Sequence, residues 1–126
     1  MKLNLSVVNG CFTIHRFSSD AEFPMEILQE PFYSISRTED ELSIVCESSL
    51  ILKTENYETG WSCIKVLGPL DFSLTGILAD ISKVLANKKI SIFALSTFDT
   101  DYILVKKEQL KNAKQALQNA EYKFKN

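Results

Sequence analysis

The sequence predicts an α+β fold, in which a strand-rich first half precedes a second half of the order β-α-β-β-α-β. Two observations support this class. Apolar residues with helical spacing occur in two stretches of the second half, and short runs that alternate apolar and polar residues occur in both halves. At 126 residues, with 45% hydrophobic and 24% charged side chains, the chain suits one ordinary globular domain or two small subdomains that share a core.

The second half alternates strands with amphipathic helices. Its predicted elements are a strand at Trp61–Leu67, a helix with Leu74, Ile77, Leu78, Ile81, Val84 and Leu85 on one face, strands at Ser91–Thr97 and Tyr102–Lys106, a helix with Leu110, Ala113, Ala116, Leu117 and Ala120, and a last strand at Tyr122–Phe124. Asp71 or Ser73 caps the first helix. We favour Ser73, which puts Thr75 and Gly76 in the first turn. The helical spacing of the apolar residues leaves Asp80 in solvent. The order implies an antiparallel sheet with both helices on one face.

The first half is predicted to consist of strands with little helix. Its predicted elements are a hairpin that turns at Asn9-Gly10, a short helical turn over Met25–Gln29 that Pro24 opens, a strand pair at Phe32–Arg37 and Leu42–Cys46, and a loop over residues 47–59 that joins the two halves.

An internal repeat relates the two halves. The strand, acidic turn and strand of Tyr33–Val45 align without gaps on Phe93–Val105, at an offset of 60 residues. Identities are few, so chance and the shared chemistry of hairpins are open alternatives. As a repeat, the first half would keep only a stub of its first helix. Apolar sheet surface left uncovered in this way needs a neighbour, in a fused pair of units or in a dimer.

Composition argues against several classes of function. The formal net charge is −2, from 14 basic and 16 acidic side chains, and there is no basic stripe with interleaved aromatic residues, so we expect no nucleic-acid partner. No apolar run is long enough for a membrane span, so we expect no membrane association and a cytoplasmic location. Three widely spaced cysteines and one histidine offer no metal set, so we expect reduced, mostly buried thiols and no metal.

The loop Gly68–Gly76 is the strongest candidate for a binding site. It joins a predicted strand to a predicted helix, where free backbone N–H groups can receive the carboxylate of a small ligand. Downstream, the run Ser96–Asp101 supplies hydroxyls and carboxylates at a predicted strand end. The two segments together indicate a receptor for a small zwitterion.

Catalysis has little support in the sequence. A nucleophilic pair would have to use His15, the single histidine, and no G-x-S-x-G elbow presents a nucleophile. Asp99 and Asp101 are spaced like an acid–base pair, but both fall in one turn. We therefore expect no enzyme activity, and we expect His15 at the surface or in a dimer interface.

A long composite pattern begins at Trp61 and continues through Lys65–Ser73, Gly76–Leu78 and Ile90–Val105, while Phe32–Glu47 fits the corresponding first-half pattern. It resembles the ACT-domain family of small-molecule-binding regulatory modules, in its branch of short tandem-ACT proteins similar to the ACT units of cytosolic arginine sensors. The resemblance implies a ferredoxin-like βαββαβ ACT unit at residues 60–126. This unit is fused to a truncated, strand-rich ACT-like unit at residues 1–59.

The resemblance also implies a site and a role. ACT modules bind ligands such as amino acids at an interface between two ACT units and have no catalysis or cofactor of their own. Carried over, the ligand-binding positions are Leu70, Asp71, Phe72, Ser73, Thr75, Gly76, Ile77, Thr97, Phe98 and Asp101. We expect a homodimer that binds a small molecule and acts on a regulated protein partner. The alternative is a protein-interaction module with a vestigial pocket.

Several of these residues have two open interpretations. Gly76 lets either a ligand approach the backbone or the helix pack against the sheet. Asp71 either pairs with a ligand ammonium group or caps the helix. Asp101 either holds an ammonium or guanidinium group or closes a turn. Phe72 and Phe98 either line the site or belong to the core.

Overall fold

The computed structural model describes residues 3–54, 56–68 and 76–125, and the chain has the predicted α+β fold. The helices and strands are β1 (Asn4–Phe17), β2 (Tyr33–Arg37), β3 (Leu42–Glu47), β4 (Asn56–Val66), α1 (Ile77–Asn87), β5 (Ile92–Ser96), β6 (Asp101–Lys106), α2 (Leu110–Asn119) and β7 (Lys123–Lys125). Short 3-10 helices occur at Met25–Gln29, as predicted, and at Lys107–Gln109.

The chain divides into two compact units. The first consists of Met1–Asn9 and Ser62–Asn126 and contains both α-helices, so we call it the two-helix unit. The second consists of Gly10–Trp61 and contains β2, β3 and the first 3-10 helix, so we call it the strand-rich unit. β1 and β4 each contribute residues to both units.

The sheet of the two-helix unit has the strand order β7-β1-β4-β6-β5. β5 and β6 are antiparallel, with Ile92 opposite Val105, but β7 lies parallel to β1, with Leu5 opposite Phe124. The prediction of an antiparallel sheet formed by the second half alone is therefore wrong at this edge. The reason is burial. Leu5 is fully buried in the core of this unit, and apolar alternation does not reveal which unit a strand will join.

Both predicted α-helices are confirmed, and they share one core. Its buried residues are Leu5, Ile64, Val66, Ile81, Leu85, Ile90, Ile103, Val105, Ala113, Leu117 and Tyr122. The helical residues recur every three or four positions and the strand residues every second position, as amphipathic elements require. Asp80, predicted in solvent, is only partly exposed and accepts a hydrogen bond from the hydroxyl of Tyr122. This bond joins α1 to the segment that leads into β7.

Helix α1 begins at Ile77, later than predicted. Its N-cap residue is Gly76, which has a left-handed φ of +79°, and the N–H of Asp80 donates to the Gly76 carbonyl at 2.9 Å. The prediction that Gly76 lies in the first turn of the helix is therefore wrong, and Ser73, the predicted cap, lies outside the described residues. No described atom outside its chain neighbours lies within 4 Å of a Cβ built at Gly76. The left-handed backbone, and not close packing against the sheet, accounts for this glycine.

β1 is one continuous strand of 14 residues, so the hairpin predicted at Asn9-Gly10 is wrong. An Asn-Gly pair favours a turn when the two flanking runs pair with each other. Here each run is buried within a different unit, with Leu5 fully buried and Phe12 1% exposed. Gly10 continues the strand with a φ of +112°, which residues with a side chain rarely adopt. The predicted loop over residues 47–59 is also shorter, because β4 begins at Asn56.

The strand-rich unit has the strand order β2-β3-β1-β4. β1 and β2 both run antiparallel to β3, with His15 opposite Ile44 on one side and Ile35 opposite Ile44 on the other. The 3-10 helix places Ile27, which is fully buried, against the sheet. The core of this unit consists of Ile27, Leu42, Ile44, Cys46 and Leu52.

The β2–β3 and β5–β6 hairpins have the same length, register and turn chemistry. β2 and β5, and likewise β3 and β6, begin and end at residue numbers that differ by 59. The N–H of Thr38 donates to the Glu41 carbonyl at 2.8 Å, and the N–H of Thr97 donates to the Thr100 carbonyl at the same distance. The predicted offset of 60 is therefore wrong by one residue. An offset of 60 aligns acidic residues of the two turns, whereas the offset of 59 seen in the structure aligns Thr38 with Thr97.

Candidate functional site

The turn between β5 and β6 is organised by Thr97. Besides its backbone bond, the hydroxyl of Thr97 donates to the Thr100 carbonyl at 3.1 Å, and the N–H of Thr100 donates to the Thr97 hydroxyl oxygen at 3.3 Å. A threonine forms such local bonds readily because its hydroxyl both donates and accepts. The side chain of Thr97 therefore holds the turn, and this bonding accounts for its position without a ligand.

Asp101 is the first residue of β6 and lies opposite Ser96. The Ser96 hydroxyl donates to Oδ1 of Asp101 at 2.6 Å, a charge-assisted bond that closes the end of the hairpin. Asp101 is half-buried. Its structural interpretation, closing the turn, is therefore correct, and a carboxylate can accept further hydrogen bonds at its two oxygens.

Thr100 joins this turn to the end of β4. It is 5% exposed, and its hydroxyl donates a hydrogen bond to the backbone carbonyl of Val66. β4 and β6 are neighbouring strands, and Val66 is the last residue of β4, after which the chain leads to Gly68. The acidic turn and the entry to the Gly68–Gly76 loop therefore lie side by side.

The other side of the predicted site lies mostly outside the described residues. Five of the ten predicted residues belong there: Leu70, Asp71, Phe72, Ser73 and Thr75. Of the remaining loop positions, Gly76 is exposed and Ile77, the first residue of α1, is half-buried against the core. The backbone at the start of α1 is therefore open to solvent at Gly76.

The structure corrects two further assignments. Phe98 is 79% exposed, so it is not a core residue. His15 is 5% exposed, so a surface position is wrong. His15 lies between Ile14 and Arg16 in β1. The sequence pattern does not reveal which residues cover the face of the sheet on which the His15 side chain lies. Thr100 is not among the predicted site residues. The only indication in the sequence is that it is a hydroxyl residue between the two aspartates of the turn.

The titratable groups of the described residues include no candidate metal-binding cluster. No group of three or more His, Cys, Asp or Glu side chains that could hold a metal ion occurs within residues 3–54, 56–68 and 76–125. Burial raises the pKa of the Cys63 thiol to about 12, and burial together with the nearby Glu30 raises that of Cys46 to about 11. Neither thiol is a nucleophile at neutral pH. No helix within the same ranges is long and apolar enough to cross a membrane.

Comparison with protein families decides the assignment. The model of the ACT domain matches residues 56–119, which is half of the chain. The chain belongs to the ACT-domain family. A second family model, which describes an N-terminal domain, matches residues 10–54. The ACT match thus covers β4 to α2, and the second match covers most of the strand-rich unit.

Individual relatives agree with this family. The cytosolic arginine sensor for mTORC1 subunit 1 of Mus musculus is 32% identical over 88 residues, which cover 64% of this chain but only 27% of the mouse protein. A crystal structure from Agobacterium tumefaciens is 37% identical, covers 99% of this chain and 93% of its own, and has a TM-score of 0.91.

A solved structure of lower sequence identity shows a similarity of fold alone. The aspartate kinase of Clostridium acetobutylicum, an allosteric enzyme, has a TM-score of 0.69 at 15% identity over 89% of this ACT-domain chain and 33% of the kinase. The chain therefore spans about a quarter of the length of the mouse sensor and about a third of the length of the kinase.

Proposed function

We propose that this ACT-domain protein is a non-catalytic regulatory module that binds an amino acid. The observation that carries the proposal is the bond from Thr100 to Val66, which sets the acidic turn beside the entry to the Gly68–Gly76 loop. We propose that the ten residues given above form the ligand site: Leu70, Asp71, Phe72, Ser73, Thr75, Gly76, Ile77, Thr97, Phe98 and Asp101. Membership of the ACT family and the similarity to an arginine sensor support this role.

The chemistry of the proposed site suits a zwitterion. The ligand carboxylate binds backbone N–H groups at the start of α1, where the helix dipole favours a negative charge. The ligand ammonium or guanidinium group binds backbone carbonyls or the carboxylate of Asp101, which is half-buried and keeps acceptor capacity beyond its bond to Ser96. Arginine is the first ligand to test, because its guanidinium pairs with a carboxylate through two parallel hydrogen bonds.

We further propose that the site is completed in a homodimer and that the protein acts on a regulated partner in the cytoplasm. The division into ACT-like repeats at residues 1–59 and 60–126 is part of this proposal, and the matching hairpins at an offset of 59 residues support it. In the strand-rich unit, a five-residue 3-10 helix lies between β1 and β2. In the two-helix unit, α1 lies in the corresponding place between β4 and β5.

Thermal-shift measurements with the twenty amino acids test the proposal. A ligand at about 100 times its Kd should stabilise the native state by about 2.7 kcal/mol. Asp101→Asn, which keeps the shape but removes the charge, should weaken a response to arginine, whereas Asp99→Asn in the same turn serves as the matched control. The absence of a shift for every amino acid at millimolar concentration would rule out this function.

A protein-interaction role is the alternative. It is favoured by the 3-10 helix, where Met25 and Leu28 are 66% and 47% exposed on either side of the buried Ile27. Exposed apolar side chains that cluster in this way are typical of contact surfaces. Capture of a stoichiometric protein that is lost in the Met25→Asp, Leu28→Asp double variant, without any response to amino acids, would favour this alternative.

A further inference from the structure

The strand-rich unit contains a cavity of its own, of about 350 Å³. All of its lining residues belong to this unit: Thr13, His15, Ser48, Leu50, Ile51, Leu52, Thr54, Tyr57 and Thr59. They come from β1, from β4 and from the segment between β3 and β4. None of them belongs to the amino-acid site proposed above.

The cavity lies on the face of the strand-rich unit's own sheet that corresponds, repeat to repeat, to the helix-covered face in the two-helix unit. His15 stands opposite Ile44, and directly opposite residues of an antiparallel pair share a face. Ile44 corresponds, at the offset of 59 residues, to Ile103, which packs in one core with α1 and α2. The described residues between β3 and β4 form no helix, so this unit has no counterpart of α2 and a space remains over β1 and β4.

His15 supplies unsatisfied hydrogen-bonding capacity at this cavity. His15 is only 5% exposed, yet neither Nδ1 nor Nε2 has a hydrogen-bond partner among the described residues. Its ring lies 6.4 Å from that of Phe17 and 6.2 Å from that of Tyr57, between centroids. Burial lowers the pKa of His15 below the usual 6.5, so the imidazole is neutral at pH 7 and offers one donor and one acceptor.

Four hydroxyl groups of the cavity have hydrogen-bond partners, either one another or the backbone. Thr13 shares hydrogen bonds of 2.7 Å with Ser48 and 3.1 Å with Thr59. Thr54 donates to the carbonyl of Arg16 at 2.8 Å and accepts from the N–H of Asn56 at 3.2 Å. Burying a polar atom without a hydrogen-bond partner costs free energy. Among the residues that line this cavity, the two nitrogens of His15 are such atoms. Its two nitrogens are therefore the groups that gain most from an occupant.

We propose that this cavity is a second binding site, for a small uncharged molecule that carries a hydrogen-bonding group, such as an amide, and an apolar group. The amide-like group forms a hydrogen bond with one of the two nitrogens of His15, and the apolar group contacts Leu50 and Leu52. None of the described lining residues is an acid, a lysine or an arginine, and a charged ligand would lose its hydration without gaining an opposite charge.

The imidazole of His15 allows a direct test, because it is the single histidine of the chain and gives an unambiguous NMR signal. The probes are benzamide, benzoate and benzylamine, which share a ring but are neutral, negative and positive. We expect benzamide to shift the His15 imidazole signal and the amide signals of Thr13, Ser48 and Thr59 saturably. Benzoate and benzylamine should bind at least about tenfold more weakly, because each carries an uncompensated charge.

Two variants separate this site from the amino-acid site. His15→Phe removes both nitrogens but keeps a planar ring, and should weaken benzamide binding by about tenfold or more, read from the amide signals. Asp101→Asn should leave benzamide binding unchanged. The proposal is overturned if wild-type protein shows no saturable shift with benzamide, if benzoate binds more tightly than benzamide, or if His15→Phe binds benzamide as well as wild type does.

Discussion

The hydroxyl of Thr100 donates a hydrogen bond to the backbone carbonyl of Val66, the last residue of β4. The bond spans 34 positions in sequence and lies in the interior, since Thr100 is 5% exposed. It fixes the turn after β5 against the strand that leads to the Gly68–Gly76 loop. One side chain therefore links the turn after β5 to the end of β4, next to Gly68, where the predicted binding loop begins.

We expect Thr100→Val to reduce the free energy of unfolding by about 1–3 kcal/mol, because the replacement keeps the shape of the side chain but leaves the buried carbonyl of Val66 without its donor. Urea denaturation measures this change. Thr97→Val is the comparison, because Thr97 is exposed and water can replace its hydroxyl bonds. An equal effect of the two substitutions would contradict the special role of Thr100.

The bond between Tyr122 and Asp80 should make stability depend on alkaline pH. Burial, and then the hydrogen bond to Asp80, raises the pKa of Tyr122. The native state therefore holds this proton where the unfolded state loses it, above the usual tyrosine pKa of about 10. Stability from this source is complete below pH 10 and falls as the pH rises beyond it.

Tyr122→Phe should remove this alkaline dependence and cost about 1.5–3 kcal/mol at neutral pH, the range for a hydrogen bond to a charged group. Tyr57→Phe is a suitable control, because Tyr57 is 59% exposed. The assignment fails if the stability of Tyr122→Phe and wild type declines in parallel above pH 10.

His15 should lower stability at mildly acidic pH. Since burial depresses its pKa below 6.5 in the native state, the unfolded chain binds the proton first as the pH falls through 6.5. The free energy of unfolding then declines below pH 6.5. His15→Phe leaves no histidine in the chain. The difference between the two stability curves from pH 7 to pH 5 therefore reports His15, and parallel curves would show that its ring is accessible to protons in the native state.

Gly10 should be hard to replace. Its φ of +112° is unfavourable for any residue with a side chain, and a Cβ there would lie 3.3 Å from the carboxyl carbon of Glu47. Gly10→Ala should destabilise the protein by about 1–3 kcal/mol from the backbone conformation alone. Adding Glu47→Ala separates the two causes: we expect it to restore little, because the Glu47 side chain is flexible at its far end. Full rescue would show that steric contact dominates.

The sequence predicted the regular elements well because they depend on local patterns. The spacing of Ile81 and Leu85 in α1 and of Ala113 and Leu117 in α2 predicted the buried faces of both helices. The two hairpins followed from alternation around acidic turns. The family resemblance was likewise visible in the sequence.

What the sequence could not predict depends on contacts between distant residues. The Asn9-Gly10 pair favours a turn locally, but burial of Leu5 and Phe12 in two different units keeps β1 extended. The role of Thr100 depends on Val66, and the burial of His15 depends on the segment that follows β3. All ten residues of the candidate site stay a prediction, and half of them, including Asp71 and Ser73, lie outside the described residues.

The three cysteines should react with an alkylating reagent in a fixed order. All are free thiols, but Cys11 is partly exposed, whereas Cys46 and Cys63 are buried, with pKa values raised to about 11 and about 12. Because the thiolate is the nucleophile, iodoacetamide at pH 8 should modify Cys11 first and the other two only as the protein unfolds. Peptide mass spectrometry over time measures this order, and Cys11→Ser should leave almost no reaction in native conditions. Early modification of Cys63 would show that β4 becomes accessible more readily than the burial of this thiol implies.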